Sequence, residues 1–252
     1  LWALFVRQFR GNPDDADAGW RCEYWGKMMR GAAAICAYTK DEELYEILEN
    51  TVRDLLTAQD EHGRFSTYSL EEEFHGWDMW GRKYILLGLQ YFYEICKDDE
   101  LKKDIISAMC RHTDYILSKV GSDKIKITET SNYWLCANAC SILEPIVRLY
   151  KATGKKEYLD FADYIVEACH GSENELTIFK LAYENELLPH QYPEQKAYET
   201  MSCFEGLLEY YRITKDEKWL RAVINFADKV KESDITVIGC AGCMHELFNH
   251  AV

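Results

Sequence analysis

The sequence is poor in proline, with 4 in 252 residues, and no uninterrupted apolar run approaches the roughly 20 residues needed to span a bilayer. Scarce proline beside long stretches rich in Leu, Ala, Glu, Lys and Tyr argues for helices and against a strand-rich sandwich. Positive charge is also in deficit: 29 Lys and Arg face 43 Asp and Glu, a net charge of -14. A surface of that sign repels a phosphate backbone or an anionic membrane, so neither nucleic acid nor membrane is expected as a partner. The chain opens at Leu1 without an initiator Met, and any signal peptide is expected upstream of it.

What the sequence has in quantity is apolar surface and cysteine. Hydrophobic residues make up 48%, enough for a sizeable core in an ordinary globular chain. Of the 10 cysteines, Cys22, Cys36, Cys96, Cys110, Cys136, Cys140, Cys169 and Cys203 mostly sit inside apolar helical patterns. A reduced thiol there behaves as a small hydrophobe, so these are read as reduced core residues, which leans towards a cytoplasmic location.

Four segments repeat one pattern, in which an apolar helix ends in a short turn with Lys, Asp or Gly and an amphipathic helix follows with acidic residues first. They are AYTKDEELYEIL, YEICKDDELKKDI, YKATGKKEYLDFA and YRITKDEKWLRAV; aligned on Leu44, Leu101, Tyr158 and Trp219, they step by 57, 57 and 61 residues. The second helices carry a single apolar stripe: Leu44, Leu48, Val52 and Leu55; Leu101, Ile105, Met109, His112 and Ile116; Trp219, Val223, Phe226 and Val230. The first helices, over 20–39, 76–96, 133–153 and 197–213, carry Gly, Ala, Cys and aromatics around most of their circumference, which suits burial between neighbours. This predicts an all-α fold of the (α/α)6 toroid type. Six hairpins would need about 340 residues at this repeat length, so residues 1–252 are expected to form one partial domain with about four of six hairpins, ending before its C-terminal hairpins. Long irregular connections join the hairpins; they are expected to carry function or short strands of their own, and the substrate cleft is sought at their end of the ring.

Several residues could meet a sugar, whose flat apolar faces suit aromatic rings and whose hydroxyl edges suit carboxylates and amides. FHGWDMWGRKY offers Trp77 and Asp78, although Asp78 and Arg82 are four apart and equally suit a helical ion pair. SNYWLCANAC offers Tyr133 and Asn138, and LPHQYPEQKAYE offers Tyr192 and Glu199. Any one tryptophan serves as well to fill the wide inner layer of a helical ring. In TVIGCAGCMHELF three readings stand side by side. Cys240, Cys243 and His245 could belong to a zinc site, although a second pair of ligands is missing. The CxxC could be redox-active, although its usual strand-to-helix turn is absent. Or Gly239, Ala241 and Gly242 form a tight turn that presents His245 and Glu246 to the cleft, with Glu246 as the carboxylic acid that glycosidic cleavage requires.

The stretches EYWGKMMRGAA, LLTAQDEHGRFSTY, WDMWGRKYILLGL, LEPIVRLYKATGKKEYLDFA and VIGCAGCMHELF resemble the catalytic domain of glycoside hydrolase family 127, typified by bacterial β-L-arabinofuranosidases, and the likeness runs along the whole chain. It implies an (α/α)6 barrel, an oligosaccharide or glycoside substrate, and retaining cleavage by a cysteine nucleophile held on zinc. It also implies an acid/base glutamate a short way before a Glu-Thr-Cys motif, a role that falls on Glu246. The zinc ligands are then expected beyond Val252, none being assigned within the chain, and residues 1–252 alone are expected to be inactive. A competing placement puts the Glu-Thr-Cys motif at AYETMSC, with Glu184 as the acid. There Met201 stands where the cysteine belongs, and the repeat makes 197–213 a first helix. Two rival functions remain: a non-catalytic helical-repeat carbohydrate-binding module, and an α/α-barrel lyase or epimerase. The residues are silent on sugar, linkage and oligomeric state.

Overall fold

The computed structural model describes residues 1–171, 176–242 and 244–248. The chain divides into two compact units, Leu1–Val120 and Gly121–Val252. In the first, α1 (Trp2–Arg7) precedes one hairpin of α2 (Tyr24–Thr39) and α3 (Glu42–Leu56) and a second of α4 (Asp78–Ile95) and α5 (Asp99–Lys119). In the second, the short α6 (Ala137–Cys140) leads into a hairpin of α7 (Leu143–Thr153) and α8 (Lys156–His170); α9 (Ile178–Glu184) follows, then a hairpin of α10 (Ala197–Thr214) and α11 (Glu217–Ser233). Among the described residues β structure is confined to isolated bridges, one of them antiparallel between Lys196 and Leu247.

The repeated turn has a physical logic. Lys40, Gly154 and Lys215 take left-handed conformations, with φ of 59°, 69° and 58°, and stop the first helices. In the second hairpin α4 instead ends at Cys96 in an extended conformation, and in three of the four hairpins an extended aspartate then caps the second helix. Asp41 accepts from the Leu44 N–H at 3.0 Å, Asp98 from the Glu100 N–H at 2.9 Å and Asp216 from the Lys218 N–H at 3.0 Å. Each cap satisfies an otherwise orphaned amide, an effect of about 1 kcal/mol. Lys155 occupies this place in the third hairpin and gives no side-chain cap.

Second helices bury one stripe. Leu101, Ile105, Met109, His112 and Ile116 are all buried on α5, and Trp219, Phe226 and Val230 on α11, while Leu44 on α3 and Val223 on α11 stand at half-buried edges. Between first helices the approach is close enough to require glycine. A Cβ at Gly26 of α2 would overlap the Tyr84 carbonyl of α4, and one at Gly88 would lie 2.7 Å from the Trp25 ring. In the second unit, a Cβ at Gly206 of α10 would lie 2.8 Å from the Glu144 amide nitrogen of α7.

Three expectations need correction. The first helix read over 133–153 is broken, because Trp134, Leu135 and Cys136 all take positive φ. The Cys136 thiol donates to the carbonyls of Ser131 and Thr128, at 2.9 and 3.0 Å, turning the chain back onto its own loop. The helix restarts at α7, which leaves Pro145 in a first turn where its missing N–H costs no hydrogen bond. Second, α4 is buried continuously from Asp78 to Gln90, but α2 is not enclosed: Met28, Ile35 and Tyr38 are exposed along one face. Third, the long connection before α10 carries the helix α9 rather than strands. The cysteines behave as expected. Cys22, Cys36, Cys96, Cys136, Cys140, Cys169 and Cys203 are free and buried, and Cys110 is free and half-buried.

Candidate active site

In the first unit Asp78 lies inside the protein. Its carboxylate accepts from Ser66 Oγ at 2.6 Å, the Phe74 N–H at 2.9 Å and Arg82 Nε at 2.9 Å, with no exposed surface. Of the two readings of Asp78 and Arg82, the structure realises the helical ion pair, which ties the 62–76 connection to α4. Arg82 also donates to Glu73 at 2.8 Å, and Glu73 accepts from Arg64 at 3.0 Å and from the Tyr115 hydroxyl at 2.5 Å. Neighbouring Trp77 is half-buried at the start of α4, its ring edge-on to Trp80 at 6.0 Å.

In the second unit Tyr133 and Asn138 meet at Ser131, whose hydroxyl accepts from the Tyr133 N–H at 3.1 Å and from Asn138 Nδ2 at 3.0 Å. Tyr133 is half-buried and Asn138 is fully buried. Tyr192 is buried as well, 6.5 Å from the Phe226 ring, and burial pushes its phenol up to about 12. Phe226 stacks on Phe204 at 3.8 Å and meets Phe248 edge-on at 5.8 Å. Tyr192 therefore belongs to the aromatic cluster that anchors the chain after Glu246 rather than to an open sugar platform.

Glu199, His245 and Glu246 do come together. After α11 the chain turns through Gly239 and Gly242, with φ of 81° and 84°, and Gly242 donates its N–H to buried Asp234. It then runs back to the start of α10, where the Lys196–Leu247 bridge and a 2.9 Å bond from the Phe248 N–H to the Gln195 carbonyl hold it. His245 and Glu246 occupy the left-handed region, at φ 61° and 60°. Neither is glycine, so each conformation costs about 1–2 kcal/mol that the surroundings must offset. Lys196 supplies part of the restraint, its Nζ lying 2.7 Å from Glu246 Oε2, 3.1 Å from the His245 carbonyl and 4.6 Å from the centre of the Trp134 ring. Glu246 itself is open, its side chain 71% exposed. With Gly242, Ala241, Ala197, Tyr198 and Met201 it lines a cavity of about 280 Å³.

Glu199, in the first turn of α10, is 97% buried with Oε2 lacking a hydrogen-bond partner. Burial above all pushes its carboxyl up to about 7; Glu246 and Glu194 reinforce the rise, and its own backbone and Lys196 oppose it. Glu194 accepts from the Lys196 N–H at 2.5 Å, and burial raises its carboxyl too. The site thus joins an open carboxylate, a buried ammonium and a carboxyl protonated near neutrality. These are components for moving a proton to or from a bound ligand. Sequence reasoning missed Lys196, since a lysine just before a helix carries no mark of burial until a distant segment folds over it.

Cys240 is exposed, and Cys243 lies outside the described residues. Among the described residues no three His, Cys, Asp or Glu side chains are grouped to hold a metal ion, so those present do not fit a zinc site. Glu184, the acid of the competing placement, is exposed at the end of α9, its carboxylate 3.9 Å from Lys180.

Residues 7–251 match the family described as β-L-arabinofuranosidase, GH127 catalytic domain. No curated protein matches the chain. Solved structures with a similar fold include a GH127 β-arabinofuranosidase, at TM-score 0.62 and 16% identity over 99% of this chain and 40% of that one. Another is a GH127 β-L-arabinofuranosidase from Geobacillus stearothermophilus T6, at TM-score 0.68 and 16% identity over 97% and 42% of the two chains. A third, described as a glycoside hydrolase, has TM-score 0.60 and 17% identity over 96% and 37%. At these identities the likeness is one of fold, the helical toroid that the repeat predicts. The chain spans about two fifths of the length of these structures.

Proposed function

The chain belongs to the β-L-arabinofuranosidase family defined by the GH127 catalytic domain, and from that premise we propose that it carries the acid/base half of a retaining glycosidase acting on β-L-arabinofuranosides of plant-type glycans. The observation that carries the reading is Glu246. It is an exposed carboxylate on a strained turn, at the edge of a cavity, restrained by Lys196 and backed by the buried Glu199.

In this role Glu246 gives a proton to the leaving glycosidic oxygen and later takes one from the water that completes the reaction. Tyr198 and Met201 give the cavity an amphipathic wall suited to a sugar face. Zinc is proposed for the full-length enzyme, on ligands that the described residues do not supply, and the role of nucleophile is assigned to none of them. Residues 1–252 alone are therefore expected to release no sugar.

The test is hydrolysis of an aryl β-L-arabinofuranoside by the full-length protein and its Glu246→Gln variant. Turnover abolished by the substitution supports the assignment, and unchanged turnover removes it. Sugar binding without cleavage would favour the binding module, and an unsaturated product would favour a lyase. Turnover by residues 1–252 alone would refute the division of labour.

A further inference from the structure

We propose that Lys196 is a positioning residue of this site, whose ammonium fixes the Glu246 carboxylate and the backbone that carries it as one unit; the inference rests on the acid/base reading of Glu246. Three independent features lead to it. The first is the double contact of one Nζ, 2.7 Å from Glu246 Oε2 and 3.1 Å from the His245 carbonyl, so that side chain and main chain of the turn are held from the same point. The second is the conformation being held. His245 and Glu246 are consecutive non-glycine residues at φ 61° and 60°, an arrangement that relaxes unless its surroundings determine it.

The third feature is the immobility of the lysine itself. Lys196 is buried, its ammonium lies 4.6 Å from the centre of the Trp134 ring, and its backbone is fixed on both sides. Its N–H donates to Glu194, its carbonyl accepts from the Thr200 N–H at 3.0 Å, and it bridges to Leu247. A surface lysine makes a loose ion pair worth little. One desolvated over an indole and placed against a strained turn can set where a carboxylate points. Positioning of this kind matters because a catalytic carboxylate displaced by about 1 Å loses much of its effect.

Lys196 also connects Glu246 with Glu199. Burial above all raises the Glu199 carboxyl, and beside it Lys196 opposes the smaller upward push of Glu246 and Glu194, so the ammonium moderates repulsion among three carboxyls. Loss of Lys196 frees the turn and drives Glu199 further towards its protonated form.

Hydrogen exchange on the full-length protein tests this without reference to activity. Lys196→Met is expected to speed exchange of the amides of residues 244–248 at least tenfold, leaving α10 and α11 at wild-type rates. Lys196→Arg, which keeps the charge and the donors, is expected to restore most of the protection. Wild-type exchange at 244–248 in Lys196→Met would overturn the proposal. So would general loss of protection that Lys196→Arg fails to rescue, which marks a merely structural residue. In hydrolysis, Lys196→Met is expected to lower kcat at least tenfold with KM within about twofold, and Lys196→Arg to recover it. If Glu246→Gln leaves hydrolysis intact while the exchange result holds, the acid/base reading fails and the clamp stands.

Discussion

Two glycines five residues apart on α2 should respond to alanine with opposite signs. Gly26 lies where α2 crosses α4, and an added Cβ would overlap the Tyr84 carbonyl; because the obstacle is backbone, a rotamer change cannot relieve it. Overpacking costs about 1–3 kcal/mol or more, and an overlap with backbone belongs at the upper end, above the roughly 1 kcal/mol by which alanine improves on glycine in a helix. Gly31 has nothing within 4 Å of an added Cβ and no positive φ. There the helix propensity acts unopposed, and Gly31→Ala should stabilise by about 1 kcal/mol. The helix-propensity gain is common to both sites, so the two variants should differ by the overpacking cost, about 1–3 kcal/mol or more, and each kcal/mol corresponds to about 2–4 °C in a chain of this size. Urea and thermal unfolding followed by far-UV circular dichroism would measure both. If Gly26→Ala matched wild type, the close crossing of α2 and α4 would be wrong; if Gly31→Ala destabilised, that face of α2 would not be open.

Other perturbations probe the polar interior. The Glu199 carboxyl titrates near 7 in the folded chain against an ordinary 4.5, so the folded state keeps its proton to higher pH than the unfolded one. Its contribution is therefore full below about 4.5 and is lost as pH rises through about 7, a change on the order of 3–4 kcal/mol. Glu199→Gln should flatten stability between pH 5 and 8 and leave the protein more stable than wild type at pH 8, as read by urea unfolding; an unaltered pH slope would mean that Glu199 is solvated. Arg82→Met should destabilise by about 3–5 kcal/mol, because it strands the buried Asp78 carboxylate. A loss under about 1 kcal/mol would show that solvent reaches that pair.

The hairpins could be read in the sequence because their causes are local. A left-handed stop followed by an aspartate cap is written in TKDEE and TKDEK, the aspartate cap alone in CKDDE, and a stripe at helical spacing identifies the buried face of α5 and α11 whatever it packs against. The break before α7 was less legible. The small and apolar residues around Leu135 and Cys136 suit a helix, and the turn is favoured by tertiary bonds to the preceding loop, from the Cys136 thiol and from Asn138 to Ser131. Trp77 and Asp78 illustrate the limit of composition, since flanking tryptophans suit a sugar site and a sealed ion-pair network equally well.

By itself the sequence determined the number of the hairpins, the buried stripes, the free core thiols and, through long shared strings, the family and the candidate glutamate. Those follow from periodicity and residue chemistry over short spans. Tertiary structure alone decided the company that glutamate keeps. Residues 196 and 246 are 50 positions apart, and nothing in a lone lysine before a helix or a lone glutamate after a glycine turn states that they meet. Burial is a property of what folds over a residue, so the raised carboxyl of Glu199 and the restrained ammonium of Lys196 came into existence only when the last segment crossed the start of α10.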